Sequence, residues 1–281
     1  MIDCHIHVVP PRLPGAGSLN PILDQPCEAV AGALRTQMES AGVTRALAMG
    51  CLGGSEEDPL GVCGTLRIAE RVPGLHAVGI ADPTRTSSEH LRRAADFLAS
   101  GQVRALKAYL GYLHFGPDHP GYHPYYELAA RYQAPFFFHT GDTYSPRAKL
   151  RYAHPLLVDD VAVDHPDVRF ILAHLGNPWL TDAAEVVYKN VNVWADLSGL
   201  AVGNVEAFEG EHRKEVLQET KDAVARAFRY AERPNRFLYG SDWPLSPMSA
   251  YANLIRSAIP EVFHKQVFEE NARSLFHFAR D

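Results

Sequence analysis

At 281 residues, with 46% hydrophobic and 21% charged positions, the chain has the composition of an ordinary globular protein and the length of one large domain or two small ones. A net charge of -6, with no long Lys/Arg run, argues against a nucleic-acid partner, because counterion release needs a basic surface. There is no apolar stretch of about 18 residues, and Asp3 and His5 break the first hydrophobic run, so neither a membrane span nor a secretory leader is expected.

The chain opens "MIDCHIH", a predicted strand over 2–7 that carries two histidines two positions apart. In a strand His5 and His7 project from one face while Ile6 turns to the other. Positions 8–26 follow, rich in Pro and Gly and without periodicity. Further strands are predicted over 44–49, 76–81, 105–109, 135–139, 169–174, 191–196 and 236–241. Several, such as "APFFFH" and "VRFILAH", are continuous apolar runs, as expected of parallel strands buried on both faces. Amphipathic helical patterns alternate with them over 28–41, 64–72, 88–99, 124–133, 155–163, 181–189, 214–231 and 247–258. A second long irregular segment, 110–123, follows the fourth strand, and the tail "HKQVFEENARSLFHF" reads as a final amphipathic helix.

Eight β-α units predict an α/β fold, a (β/α)₈ TIM barrel of roughly 250 residues with a C-terminal closing helix. A doubly wound open sheet is the competitor, but "HVVPPRLPGAGS" lacks the glycine spacing of a nucleotide-binding turn. With no linker, repeat or low-complexity segment, residues 1–281 are expected to form a single domain. The cysteines Cys4, Cys27, Cys51 and Cys63 form no CxxC pair, which suits reduced thiols and a cytoplasmic location.

In such a barrel the strand ends share one mouth. His5 and His7 end the first strand, His139 the fifth ("FFFHTG") and His174 the sixth ("ILAHLG"), and Asp242 follows the eighth ("LYGSDWP"). Any one strand-end histidine is more often a satisfied polar residue than a ligand. Convergence of all five groups favours a metal, since three imidazoles and a carboxylate form a ligand set for Zn²⁺, or for Mn²⁺, Fe²⁺ or Co²⁺.

The segments "MIDCHIH", "FFFHTG", "FILAHLGNPW" and "FLYGSDWP" resemble the four signature segments of the amidohydrolase-related branch of the amidohydrolase superfamily (amidohydrolase 2), and the likeness extends to "NARSLF" near the C-terminus. That branch includes aminocarboxymuconate-semialdehyde decarboxylase, aromatic-acid decarboxylases and several lactonases. The resemblance implies His5, His7, His139 and Asp242 as ligands of a divalent metal, most simply Zn²⁺, with His174 a catalytic histidine beside it. It implies a hydrolase acting on an ester, lactone or amide of a small carboxylated or aromatic substrate through metal-activated water, with Asp242 as proton acceptor and donor. A decarboxylase of a small unsaturated or aromatic acid is the alternative, and a non-catalytic metal-binding barrel the third reading.

Lys107 ends the fourth strand. In the wider superfamily a lysine on that strand is carboxylated and bridges two metals; read on its own, Lys107 is a free ammonium that pairs with Asp242 or a substrate carboxylate. One ion per chain is expected, a second only with a carboxylated Lys107. Tyr109 shares the face of Lys107, and the loop aromatics Tyr112, Phe115, Trp179 and Trp243, with His114, His119, His123 and Arg147 nearby, are expected to shape a pocket for a planar carboxylated substrate or lactone. Lys107, Tyr109, Trp179 and Trp243 are the expected substrate contacts. The expected partner is therefore a small molecule, with self-association into a homo-oligomer compatible with the chain.

Overall fold

A computed structural model of the protein describes residues 1–279. In chain order the elements are β1 (Ile2–His7), α1 (Cys27–Ala41), β2 (Arg45–Met49), α2 (Cys63–Ala69), β3 (Leu75–Ile80), α3 (Ser88–Ala99), β4 (Val103–Ala108), α4 (His123–Tyr132) and β5 (Phe136–His139). They continue with α5 (Leu157–Asp164), β6 (Phe170–Ala173), α6 (Leu180–Lys189), β7 (Val193–Asp196), α7 (Val205–Glu209), α8 (Lys214–Ala231), β8 (Phe237–Leu238), α9 (Met248–Ala258) and α10 (Asn271–Leu275). The strands pair in parallel in the order β1 to β8, as the β-α alternation predicts.

β8 is shorter than the predicted 236–241. Beyond Leu238 the chain leaves the β7 ladder and bonds to β1 instead: Cys4 N donates to Tyr239 O, Asp242 N to His5 O and His7 N to Trp243 O. These bonds close the barrel. The tail also departs from a plain amphipathic helix, with a π-helical turn at Gln266–Glu270 before α10. Ala272, Leu275, Phe276 and Phe278 pack there against the inward residues Ile2, Leu47, Val78, Phe137, Ile171 and Leu238, so the C-terminal segment plugs the interior from the end opposite the histidines.

A second apolar layer lies between strands and helices. Phe136, Phe138 and Phe170 are fully buried and form an edge-on and stacked aromatic group with Tyr126 of α4. Phe138→Ala should cost about 3–5 kcal/mol through lost burial and a residual cavity. Its thermal midpoint by circular dichroism should drop by about 10 °C, at about 2–4 °C per kcal/mol for a chain of this size.

β1 contains the irregularity that sets up the site. Its register against β2 shifts between Asp3 and Ile6. Cys4 packs into the inner cluster and Ile6 into the outer one, whereas His5, the neighbour of Cys4, also reaches the interior, where Lys107 meets it. A bulge therefore turns two consecutive side chains inward, as bulges beside functional sites commonly do. Asp3 secures it by accepting hydrogen bonds from His5 N (3.2 Å) and Ser241 N (3.0 Å) through Oδ1.

Candidate metal centre

The strand ends bring His5, His7, His139, His174, Lys107 and Asp242 together at one mouth of the barrel. Donor atoms of His5, His7 and Asp242 all lie within 4.8 Å of one another. Asp242 Oδ1 stands 3.5 Å from His7 Nε2 and 3.8 Å from His5 Nε2, too far for good hydrogen bonds. It and His7 Nδ1 are buried polar atoms with no hydrogen-bond partner. Buried oxygens and nitrogens are rarely left so, and an oxygen facing two imidazoles fits a divalent cation.

His139 lies across the mouth, its ring 5.0 Å from that of His174. Its Nε2 is 2.9 Å from the Asp142 carbonyl, which can only accept, so Nε2 carries the proton and Nδ1 keeps its lone pair. Lys107, fully buried, donates from Nζ to His5 Nε2 at 2.7 Å rather than pairing with Asp242 as expected. The physical reason is reach. The inward bulge places His5 directly in front of β4, ahead of the carboxylate.

Burial dominates the electrostatics. It lowers the pKa of His5, with the Lys107 charge adding to the effect, and it lowers that of His7 against the opposing pull of Asp242. His139 is held well below the usual range by burial and by His174, and His174 falls to about 4 through burial. The imidazoles are therefore neutral at physiological pH, the form that binds metal. Burial alone would raise Asp242, but the imidazole of His7 and the nearby His174 and His5 outweigh it and hold the carboxyl ionised. Burial brings Lys107 down to about 8, opposed by Asp242 and Asp196.

Backbone geometry makes room for this cluster. Asp242 (φ 59°) and His174 (φ 60°) both occupy the left-handed region, strained for residues with a Cβ and common at functional sites. A Cβ on Gly240 would sit 2.9 Å from the Cβ of His5, and one on Gly199 would sit 2.6 Å from His174 Nδ1. Neither position tolerates a side chain without displacing a site histidine.

The remaining expected contacts are placed differently. Trp243 does not face the mouth: its indole packs with Ile6, Val8, Leu34 and Met248 between barrel and helices, because the residue after inward-facing Asp242 points outward. Trp179 lies against His154 (4.7 Å between rings). Tyr109 is buried beneath Lys107, which sits 4.8 Å over its ring. A cavity of about 30 Å³ at the cluster is lined by His139, Asp142, Tyr144, His174, Asn177 and Asp242, together with Gly199. Sequence reasoning missed Asp142, Tyr144 and Asn177, which lie on loops with no periodic signal. It also missed Asp196 and Ser198 at the end of β7, although "ADLSG" carries an acid at a strand end, the same signal that marked Asp242. Asp196 Oδ2 is 2.8 Å from His5 Nδ1.

The amidohydrolase (Amidohydro_2) family model matches residues 2–278. No curated protein sequence matches the chain. Among solved structures, a probable 2-pyrone-4,6-dicarboxylic acid hydrolase from Acinetobacter baumannii with bound citric acid superposes with a TM-score of 0.69, at 14% identity and 99% coverage of both chains. An amidohydrolase from Burkholderia multivorans with bound zinc gives 0.68, at 16% identity and 99% coverage of both. A 5-carboxyvanillate decarboxylase from Novosphingobium aromaticivorans, complexed with manganese and 4-hydroxy-3-methoxy-5-nitrobenzoic acid, gives 0.66, at 12% identity and 99% and 96% coverage. At these identities the likeness speaks for the fold alone. Among the described residues no helix is long and apolar enough to cross a membrane.

Proposed function

This chain belongs to the amidohydrolase family, whose members are metal-dependent hydrolases or decarboxylases, and from that premise we propose that it is a hydrolase of an ester, lactone or amide bond in a small molecule. The observation that carries the reading is the unpartnered, ionised Asp242 carboxylate beside His5 and His7. Its unpartnered oxygen has a lone pair free to take a proton, as attack by water requires. His5, His7, His139 and Asp242 would hold a divalent ion, zinc by the nature of an N₃O donor set and manganese next. When bound, the ion lowers the pKa of water and polarises the substrate carbonyl.

The chain's own groups do the rest. Asp242 takes the proton of the attacking water and returns it to the leaving oxygen or nitrogen. His174, neutral, offers an acceptor to the water or to a substrate hydroxyl. Asp142, Tyr144 and Asn177 line the cavity beside the cluster.

The lyase alternative draws on the decarboxylases that share the fold. One experiment separates the two. Protein reconstituted with zinc or manganese is offered lactones, esters and hydroxybenzoates while acid release and CO₂ are followed together. Acid release without CO₂ supports the hydrolase, and CO₂ from a hydroxybenzoate with no hydrolysis overturns it. Chelation should remove at least about 10²-fold of the activity and lower the thermal midpoint, with zinc or manganese restoring both, because an ion that binds only the folded chain stabilises it by mass action.

A further inference from the structure

We infer that Asp196 and Ser198 lock His5 and His174 in the same tautomer, proton on Nδ1 and lone pair on Nε2, and are positioning residues for the mouth of the barrel. The geometry stands without an ion; its consequence for metal affinity rests on the metal site proposed above.

Each proton is fixed by a partner that has only one role available. Asp196, ionised, can only accept, and Oδ2 lies 2.8 Å from His5 Nδ1. On the other side of the ring the Lys107 ammonium can only donate, and it lies 2.7 Å from Nε2. Both require His5 to carry its proton on Nδ1. For His174, Nδ1 is 3.2 Å from the Ser198 carbonyl, which again can only accept. His174 Nε2 is thereby left with the lone pair.

Ser198 joins the two rings. Its Oγ is 3.0 Å from His5 Nδ1 and 3.0 Å from His174 Nδ1, and it hydrogen-bonds to Asp196 Oδ1. A hydroxyl has one proton and two lone pairs. Donating to Asp196 and accepting from both imidazoles uses all three. Asp196 Oδ1 also accepts the backbone N–H groups of His174 (3.0 Å) and Ser198 (3.0 Å). One carboxylate therefore holds the backbone of one site histidine and the ring of the other.

This assignment also separates two overlapping clusters that share His5. The set of His5, His174 and Asp196 has donor atoms as close together as the set of His5, His7 and Asp242. Both Asp196 oxygens are engaged by N–H or O–H donors, whereas Asp242 Oδ1 has none. The first cluster orients, and the second takes a cation once Lys107 Nζ gives up the His5 Nε2 lone pair, the arrangement in which an outer carboxylate fixes a ligating histidine.

The test uses metal-free full-length protein with ¹⁵N-labelled histidine, read by long-range ¹H–¹⁵N correlation, and zinc affinity measured by competition with a chromophoric chelator. In the wild type His5 and His174 should show the Nδ1–H pattern, with His139 in the opposite Nε2–H form as an internal contrast. Asp196→Asn can present a donor to His5 Nδ1 while Lys107 still donates to Nε2, so His5 should change from pure Nδ1–H to a mixture with Nε2–H, and zinc should bind about 10–100-fold more weakly. Ser198→Ala keeps the carboxylate and its own backbone carbonyl: His5 and His174 should both stay Nδ1–H with zinc affinity within about twofold, and a shift of either ring to Nε2–H in this variant overturns the inference. Nε2–H in wild-type His5, or Asp196→Asn with an unchanged His5 pattern and affinity, overturns the inference. Should Asp196→Asn fail to fold, the wild-type tautomers and Ser198→Ala still decide it. None of these readouts needs a substrate, so a failed hydrolase assay leaves this result standing or falling by itself.

Discussion

Asp242→Asn should lower kcat by about 10²–10⁴-fold at matched metal occupancy, the range associated with losing a general base. The amide keeps an oxygen and nearly the same volume, so the chain should fold and bind metal, more weakly. What it loses is the ionised state that His7 and its neighbours hold in a buried carboxyl. An amide accepts no proton at neutral pH. The measurement is kcat for wild type and variant on whichever ester or lactone turns over, with zinc content determined on the same samples. Near wild-type kcat would remove the proton-transfer role from Asp242 and shift the reading toward a decarboxylase in which a protonated His174 is the acid.

His7→Ala and His174→Ala should part company. His7 faces the unpartnered oxygen of Asp242 and has no other anchor, its Nδ1 being without a partner. Its removal should weaken zinc binding beyond the about 10–100-fold typical of losing an outer partner, and activity should disappear with the metal. His174 is tied to Ser198 and to Asp196 through its backbone N–H, away from the open face of the cluster. His174→Ala should therefore keep zinc and lose turnover by about 10²–10⁴-fold. Zinc content after dialysis and kcat, measured for both variants, check the pair. Loss of zinc in His174→Ala would make that residue a ligand and leave the proton chemistry to Asp242 alone.

What the sequence determined by itself was whatever depends on local periodicity. Alternating apolar strands and amphipathic helices specify a parallel sheet covered by helices, and eight such units without a nucleotide-binding turn favour the barrel over an open sheet. The shared face of His5 and His7 follows from the two-residue repeat of a strand, and the strand-end positions of His139, His174 and Asp242 follow from where the apolar runs stop. Only the tertiary structure decided the rest. The bulge that turns Cys4 and His5 inward together arises from pairing with β2 and from Asp3 reaching the backbone of Ser241, a contact between opposite ends of the chain. Trp243 follows Asp242 in sequence but packs outward, since side chains of successive residues leave the barrel wall on opposite sides. The partner of His5 Nδ1 is an acid 191 residues away. No spacing rule connects the two. They meet because closing the sheet lays β7, β8 and β1 side by side, and because Gly240 between them has no side chain to hold them apart.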